Sequence, residues 1–425
     1  MDTFLPHNKI EKIVGGIIRR QVNSYLRFDP SGACQVPILR DTSKPIMMYI
    51  HIPFCERLCT YCSFHKVVMN EDLARDYFHA LNREILMYAE KGYKFSTVYF
   101  GGGTPTVLMP ELLATIGLLK QQFEISEISL ETNPNHLDEE HIRPLQEIGV
   151  NRLSVGVQSF DDEILKKTGR FGVYGSGAEI VERIERYCKD FPTFNVDMMF
   201  NMPVQSEESL RRDLEIIRGL GINQITYYPL MLSAATRKTI EKTMGDVDSR
   251  RGRHFYGIIS EQLAEDFKGA TAWCFNRKDT AAALVDEYVI NYEDYAGVGS
   301  GSIGYINGSI YANTFNIEDY IKLAAEGKFP VIARRDCNVR EQYLYIFLMQ
   351  FFGLSLDLGH LRRERGIFAL VWLSPVIAFF MLVGGIGILP RKWVLHLRDR
   401  YYWVIMMREF FTAVNNFREY CRGRG

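Results

Sequence analysis

Six short, β-rich apolar runs, at 46–52, 97–100, 128–131, 152–158, 194–200 and 224–228, alternate with helix-period segments at 73–90, 110–123, 162–167, 178–189 and 206–220. Alternation repeated this often argues for parallel βαβ units, because parallel neighbours need a long crossover and a helix supplies it. Strands joined in this way fit a partial (β/α)6 barrel, in which the working residues sit at the strand C-termini. Those ends are where the unusual residues fall. The first run leads into Cys55, Cys59 and Cys62, and the second ends in Gly101-Gly102-Gly103-Thr104-Pro105. The third ends in Glu131-Thr132-Asn133-Pro134, the fourth in Gln158-Ser159, and the fifth carries Asp197. One rim thus collects thiols, a glycine loop, two carboxylates and an amide.

The CxxxCxxC run is the most chemically specific of these. Three thiolates hold three irons of a cubane [4Fe–4S] cluster, which normally takes four protein cysteines, so one iron is left open for a substrate or cofactor. Zinc is the alternative; no fourth ligand stands at zinc-finger spacing, although His51 and His65 flank the run. The other cysteines, Cys34, Cys188, Cys274, Cys337 and Cys421, are scattered singly. That usage suits a reduced cytosolic protein better than a disulfide framework. Beside an open iron, the glycine loop reads as a close backbone approach to a small charged group; its plain reading is a tight turn. Glu131 and Asp197 are placed to bind ribose hydroxyls, as acidic residues do in dinucleotide folds. Arg170 is a candidate for a bidentate fork with a carboxylate.

A net charge of −1 offers no basic field to draw in nucleic acid. The first residues show neither the basic region nor the apolar stretch of a signal peptide. Residues 368–389 form a stretch of 22 residues without a charge, long enough to cross a bilayer. Ser374-Pro375 and the glycines at 384, 385 and 387 are expected to break it into two helices and a turn. Arginines at 362, 363 and 365 and Arg391-Lys392 flank both ends, which removes any orientation bias. The segment therefore reads as part of a buried terminal domain with an apolar surface able to touch a membrane. The chain divides into a lead-in at 1–45 (a helical pattern near 10–26, then a turn at 29–32), a barrel at 46–235, a region at 236–335 with a second glycine loop at 297–304, and an apolar helical part at 336–425. In the last, Trp403, Met407, Phe410, Val414 and Phe417 are spaced as one helix face.

Taken together, the run from His51 to Cys62, the Tyr99–Thr106 stretch, Glu131, Gly156-Val157-Gln158-Ser159 and Asn195-Val196-Asp197 resemble the radical S-adenosylmethionine (SAM) enzymes of the oxygen-independent coproporphyrinogen III oxidase type. The resemblance covers roughly residues 46–310. It implies a partial radical SAM barrel with a mostly α, winged-helix-like C-terminal domain. It also implies that Cys55, Cys59 and Cys62 ligate the cluster, with SAM chelating the open iron. Tyr49, Tyr61, Gly102 and Glu131 match positions that contact this SAM. Gly103, Thr104, Gln158, Arg170, Asp197 and Met231 match those lining a second SAM site.

Departures from the pattern narrow the expectation. The coproporphyrinogen enzymes carry a further cysteine two residues after the third, and this chain has Phe64 there. Haem-chaperone relatives begin almost directly at the cluster strand. The Cys62-Ser63-Phe64-His65-Lys66 stretch and the tail from Tyr401 to Phe411 look most like the two-SAM (class C) methyltransferases, which include enzymes that methylate menaquinone at C8. That subgroup implies a 5′-deoxyadenosyl radical that takes hydrogen from the methyl group of the second SAM, and addition of the resulting carbon to an sp² ring carbon. The expected partners are a low-potential donor of the flavodoxin or ferredoxin type and a prenylated quinone, with the protein cytoplasmic and peripheral at the inner membrane face. Anaerobic coproporphyrinogen III decarboxylation and haem delivery by a chaperone are the alternatives.

Overall fold

The computed structural model describes residues 7–25, 35–38, 45–280, 294–389 and 393–422; the expected turn at 29–32, Cys34 and Arg391-Lys392 lie outside the described residues. Strands β1 (Ile46–Ile52), β2 (Phe95–Gly102), β3 (Glu127–Thr132), β4 (Arg152–Gln158), β5 (Thr193–Phe200) and β6 (Gln224–Pro229) run parallel in that order. They are almost continuously buried, as strands covered on both faces are, which is why they read as unbroken apolar runs. Helices Glu71–Glu90, Met109–Gln122, Gly177–Tyr187 and Glu207–Gly219 cross over close to their expected positions. The β3–β4 crossover adds helix Glu139–Glu147, which periodicity does not pick out. It is short and charged, contains Pro144, and buries only Ile142 and Leu145.

The sheet continues past residue 235. Strands β7 (Phe267–Gly269) and β8 (Cys274–Arg277) extend it antiparallel beyond β6. On the other side β9 (Tyr295–Val298) pairs parallel with β1, and β10 (Ile303–Ile306), β11 (Ser309–Asn313) and β12 (Val331–Asp336) follow antiparallel. The result is a single 12-stranded sheet, β12-β11-β10-β9-β1-β2-β3-β4-β5-β6-β8-β7. The C-terminal part packs helices Val339–Phe352, Leu358–Arg365, Ile367–Leu382 and Tyr401–Arg422 beside a small antiparallel sheet of β13 (Ser355–Asp357), β14 (Ile386–Leu389) and β15 (Val394–Leu397).

Ser374-Pro375 does not break the apolar segment. Helix Ile367–Leu382 runs through Pro375, although proline cannot donate to the carbonyl four residues back. That carbonyl belongs to Val371, and it accepts instead from Ser374 Oγ at 2.8 Å. The helix spans 16 residues, about 24 Å, and among the described residues no helix is long and apolar enough to cross a membrane.

The end of β1 is clamped from both sides. Gly103 N donates to Ile52 O and Thr104 N to Phe54 O, each at 2.7 Å. A Cβ on Gly103 would sit 2.5 Å from Phe54 O, so the position requires glycine. From the β9 side, Gly301 (φ +77°) lies against His65, where a Cβ would meet the ring at 2.6 Å. This second glycine loop is therefore a packing device and more than a turn. Glu84, buried in helix Glu71–Glu90, anchors it by accepting from Gly299 N (2.9 Å), Asn313 Nδ2 (2.8 Å) and Tyr320 OH (2.6 Å).

The clamp can be tested at Glu84 and at Gly103. Glu84→Ala strands three buried donors and is expected to cost at least about 2 kcal/mol in denaturant unfolding. Burial holds the Glu84 carboxyl up at about 7. Its proton is bound more tightly folded than unfolded, so its contribution is full at low pH and is lost as pH rises through about 7. Glu84→Gln is expected to flatten that part of the stability–pH curve. Gly103→Ala is expected to cost at least about 1 kcal/mol and to lower iron and sulfide content after reconstitution; full iron loading would disprove the clamp.

Candidate active site

The chain leaving β1 enters a loop, 55–66, closed at its base by a two-residue parallel ladder that pairs Phe54 with Val67 and Cys55 with Val68. Val67 N donates to Pro53 O (2.7 Å) and Met69 N to Cys55 O (2.8 Å). Within the loop Cys62 N donates to Cys59 O at 3.4 Å, and Lys66 Nζ donates to Cys62 O. Cys55, Cys59 and Cys62 all border one cavity of about 240 Å³ at the C-terminal ends of the barrel strands. Burial, reinforced by Cys62 and Cys59, pushes the Cys55 thiol up to about 12, against a hydrogen bond with Thr104. Thiols held together in this way give up their protons to a cation and not to water. Among the described residues no three His, Cys, Asp or Glu side chains converge on a single ion-sized point. Three thiols on one cavity are the kind of donor set that a [4Fe–4S] cluster takes.

His51 and His65 are committed elsewhere. His51 Nδ1 bonds Tyr49 OH (2.9 Å) and its Nε2 bonds His65 O (2.8 Å), while His65 Nε2 meets Ser300 Oγ at 3.1 Å. Both rings brace the loop through these hydrogen bonds.

Every residue that the resemblance matched to the cluster or to SAM borders this cavity. Glu131, at the end of β3, accepts from Tyr99 OH (2.8 Å) and Gly102 N (3.2 Å). Burial, then the neighbouring Asp197, raises its carboxyl to about 7. Asp197, on β5, accepts from Ser154 Oγ and Asn195 Nδ2, both at 2.7 Å; burial raises it too, against Arg152 and Arg170. Gln158 closes β4 at φ +76°, a conformation that costs about 1 kcal/mol or more in a non-glycine residue. Asp213 holds the turn beyond it, accepting from Ser159 Oγ and Phe160 N at 2.8 Å. Tyr49, Tyr61, Thr104 and Met231 complete the expected lining.

Arg170 departs from the carboxylate fork expected of it. The buried guanidinium donates to Cys59 Sγ (3.4 Å), to Asn133 Oδ1 (3.0 Å) and to Gly156 O, and lies 4.2 Å from the Tyr174 ring centre. It therefore supports the cysteine loop directly. Its Nε and, behind the wall, Arg152 Nη1 are buried without a hydrogen-bond partner among the described residues.

Sequence reasoning missed an apolar part of the lining. Trp273, Phe352, Met407 and Phe411 border the same cavity, with Trp273 5.2 Å from Phe352 and 5.6 Å from Phe411 between ring centres. They come from three distant stretches of chain, and only the apolar character of the tail hinted at them. Asn133, Tyr99 and Lys66 were missed on the polar side.

Residues 49–217 match the radical SAM superfamily model. Heme chaperone HemW of Bacillus subtilis is 30% identical over 325 residues, 73% of this chain and 83% of that protein. Anaerobilin synthase of Escherichia coli O157:H7 is 30% identical over 316 residues, 69% of each. Oxygen-independent coproporphyrinogen III oxidase of Cereibacter sphaeroides is 29% identical over 352 residues, 77% of each. The solved structure of coproporphyrinogen III oxidase (HemN) from Escherichia coli superposes with a TM-score of 0.74 at 19% identity, covering 91% of this chain and 95% of that one, and shows a shared fold. A [4Fe–4S] cluster and SAM are the cofactors that come with this kinship, and Cys55, Cys59 and Cys62 are the residues present to hold the cluster. The cysteine loop, the parallel strands behind it and these relatives agree: the chain belongs to the radical SAM superfamily, in the family of heme chaperone HemW and the oxygen-independent coproporphyrinogen III oxidases.

Proposed function

We propose that this protein is a radical SAM C-methyltransferase that uses two SAM molecules to methylate an sp² carbon of a quinone ring, at C8 of menaquinone. The observation that carries the reading is the mixed lining of the cavity, in which the polar residues assigned to SAM share one space with an apolar group, Trp273, Phe352, Met407 and Phe411. These four offer a flat, uncharged bicyclic ring a stacking surface. Phe64 also borders the cavity, where the coproporphyrinogen enzymes have a further cysteine, with the Arg418 guanidinium 5.0 Å from its ring centre.

When bound, the cluster and SAM supply a 5′-deoxyadenosyl radical. The chain's own residues hold, orient and exclude. Arg170 withdraws charge from Cys59 sulfur through its hydrogen bond. Glu131 and Asp197 are placed to accept from ribose hydroxyls, while Gly103, Thr104, Gln158 and Met231 border the space assigned to the second SAM. The apolar wall keeps water from the reacting carbon. In the net reaction a ring C–H becomes C–CH3, with methionine, 5′-deoxyadenosine and S-adenosylhomocysteine as coproducts and electrons from a flavodoxin- or ferredoxin-type donor. The exposed Phe368, Val371, Trp372 and Leu382, following Arg362, Arg363 and Arg365, favour a cytoplasmic protein that touches the inner membrane face. The relatives' names favour a second reading, a porphyrin or haem ligand.

Reconstituted protein with SAM, a low-potential reductant and a menaquinone analogue is expected to yield 5′-deoxyadenosine, S-adenosylhomocysteine and a product heavier by one methylene. 5′-Deoxyadenosine without S-adenosylhomocysteine would sink the methyl-transfer reading, and turnover of coproporphyrinogen would install the second. Cys59→Ala is expected to abolish both nucleoside products.

Glu131 adds a pH dependence. Its carboxyl is raised to about 7 and accepts hydroxyl donors fully only when ionised. SAM affinity is therefore expected to rise by up to about tenfold between about pH 6 and about pH 8, as measured by anaerobic titration calorimetry. Glu131→Gln should bind more weakly and show no such rise; a slope identical to the native protein's would remove Glu131 from the SAM site.

A further inference from the structure

We propose that a second, almost wholly apolar cavity binds the hydrocarbon chain of the substrate, an inference that rests on the quinone reading above. The cavity, about 280 Å³, exceeds the 240 Å³ of the active cavity. It lies between helices His7–Tyr25, Val339–Phe352, Ile367–Leu382 and Tyr401–Arg422 and the face of β9–β11. Folded interiors leave few voids larger than a water molecule. Walls such as Ile18, Leu348, Val376, Phe379, Phe410 and Val414 give water too few partners to fill this one. Its one carboxylate, Glu341, is paired with Arg335 at 2.6 Å and caps its own helix through Asn338. Tyr305 and Tyr345 stack on each other with ring centres 4.2 Å apart. The space is therefore chemically fitted to hydrocarbon.

Its position says which hydrocarbon. The same two helices serve both cavities. Met407, Phe411 and Phe352 border the active cavity, whereas Met406, Phe410 and Leu348 border this one. Side chains neighbouring in sequence, Met406 beside Met407 and Phe410 beside Phe411, therefore divide between the two cavities. On the outer side, helix Ile367–Leu382 turns Val376 and Phe379 inward while Phe368, Val371 and Leu382 are exposed. An apolar surface, an apolar cavity and a radical site thus lie in succession. That sequence fits a molecule with a flat head and a long apolar tail, drawn from a lipid phase.

The test fills the cavity from two walls. Val376→Trp and Ile18→Trp are made in the full-length, cluster-reconstituted protein. Each is titrated with geranylgeraniol and with oleyl alcohol, neither of which carries a ring, and assayed with a naphthoquinone bearing four isoprene units and with the same ring lacking a tail. Binding of either alcohol to the native protein, weakened at least about tenfold in both variants, supports the site. The tighter alcohol names the source of the chain, isoprenoid or acyl. KM for the tailed quinone should rise about tenfold in both variants, with kcat/KM for the tailless ring as the fold control. Binding of neither alcohol, or native affinity in both variants, overturns the proposal. If the alcohols bind here but no ring is methylated, the cavity stands and the quinone reading falls. If tailed and tailless rings are methylated equally well, the cavity falls and the quinone reading stands.

Discussion

The site depends on one close approach, the backbone of the β1 end packed between two glycine loops. Phe54 O lies where a Cβ on Gly103 would sit, and His65 where one on Gly301 would. No larger residue fits either place, so the two loops fix how far the β1 end advances before the chain turns into the cysteine loop. Tyr77 OH reinforces the position by donating to His51 O at 2.6 Å and accepting from Ser300 N at 2.9 Å. Three thiols on one loop have little redundancy as a donor set, and a displacement at the strand end would reach all three. The rigidity is therefore concentrated in β1, β2 and β9, which are neighbours in the sheet.

The clamp also sets the electrostatics. Packed strand ends exclude water, and exclusion raises Glu84, Glu131 and Asp213 alike to about 7. Each buried carboxyl accepts two or three hydrogen bonds, and desolvation still outweighs them. Two of the three are structural. Glu84 holds the second glycine loop and Asp213 the strained turn after Gln158. Glu131 alone borders the cavity, so a perturbed carboxyl is a sign of function here only when combined with geometry. Arg170 follows the same logic, since its hydrogen bonds go to a sulfur, an amide oxygen and a carbonyl.

Much of this was legible along the chain, for definable reasons. Parallel strands buried on both faces leave unbroken apolar runs, so β1 and β4 were read to the residue. The residues at their C-termini converge because parallel topology sends them to one rim. What could not be read depends on contacts between distant segments. Pro375 breaks a helix by rule, and only the Ser374 hydroxyl on Val371 O overrides it. His51 and His65 looked like spare ligands until the parallel pairing of β9 with β1 brought Ser300 to His65. The apolar wall of the cavity gathers Trp273, Phe352, Met407 and Phe411, each of which by itself is an ordinary core residue.

The C-terminal helix Tyr401–Arg422 is where the local reading was narrowest. Spacing marks Trp403, Met407, Phe410, Val414 and Phe417 as one face, yet residues 401 to 407 are buried all round. A helix apolar on every side has no solvent face and must be enclosed. Trp403 packs among Phe347, Phe351 and Phe380, Met407 and Phe411 face the active cavity, and Met406 and Phe410 face the second one. Further along, Asn415 Nδ2 donates to Ser63 Oγ at 2.6 Å, and Arg418 Nη1 to Asn415 Oδ1 at 2.8 Å, which ties the helix to the cysteine loop. The helix thus borders both cavities, packed at one end in core and tied at the other to the cysteine loop. Neighbouring side chains of one helix line two different cavities, and its far end is tied to the loop that carries Cys55, Cys59 and Cys62.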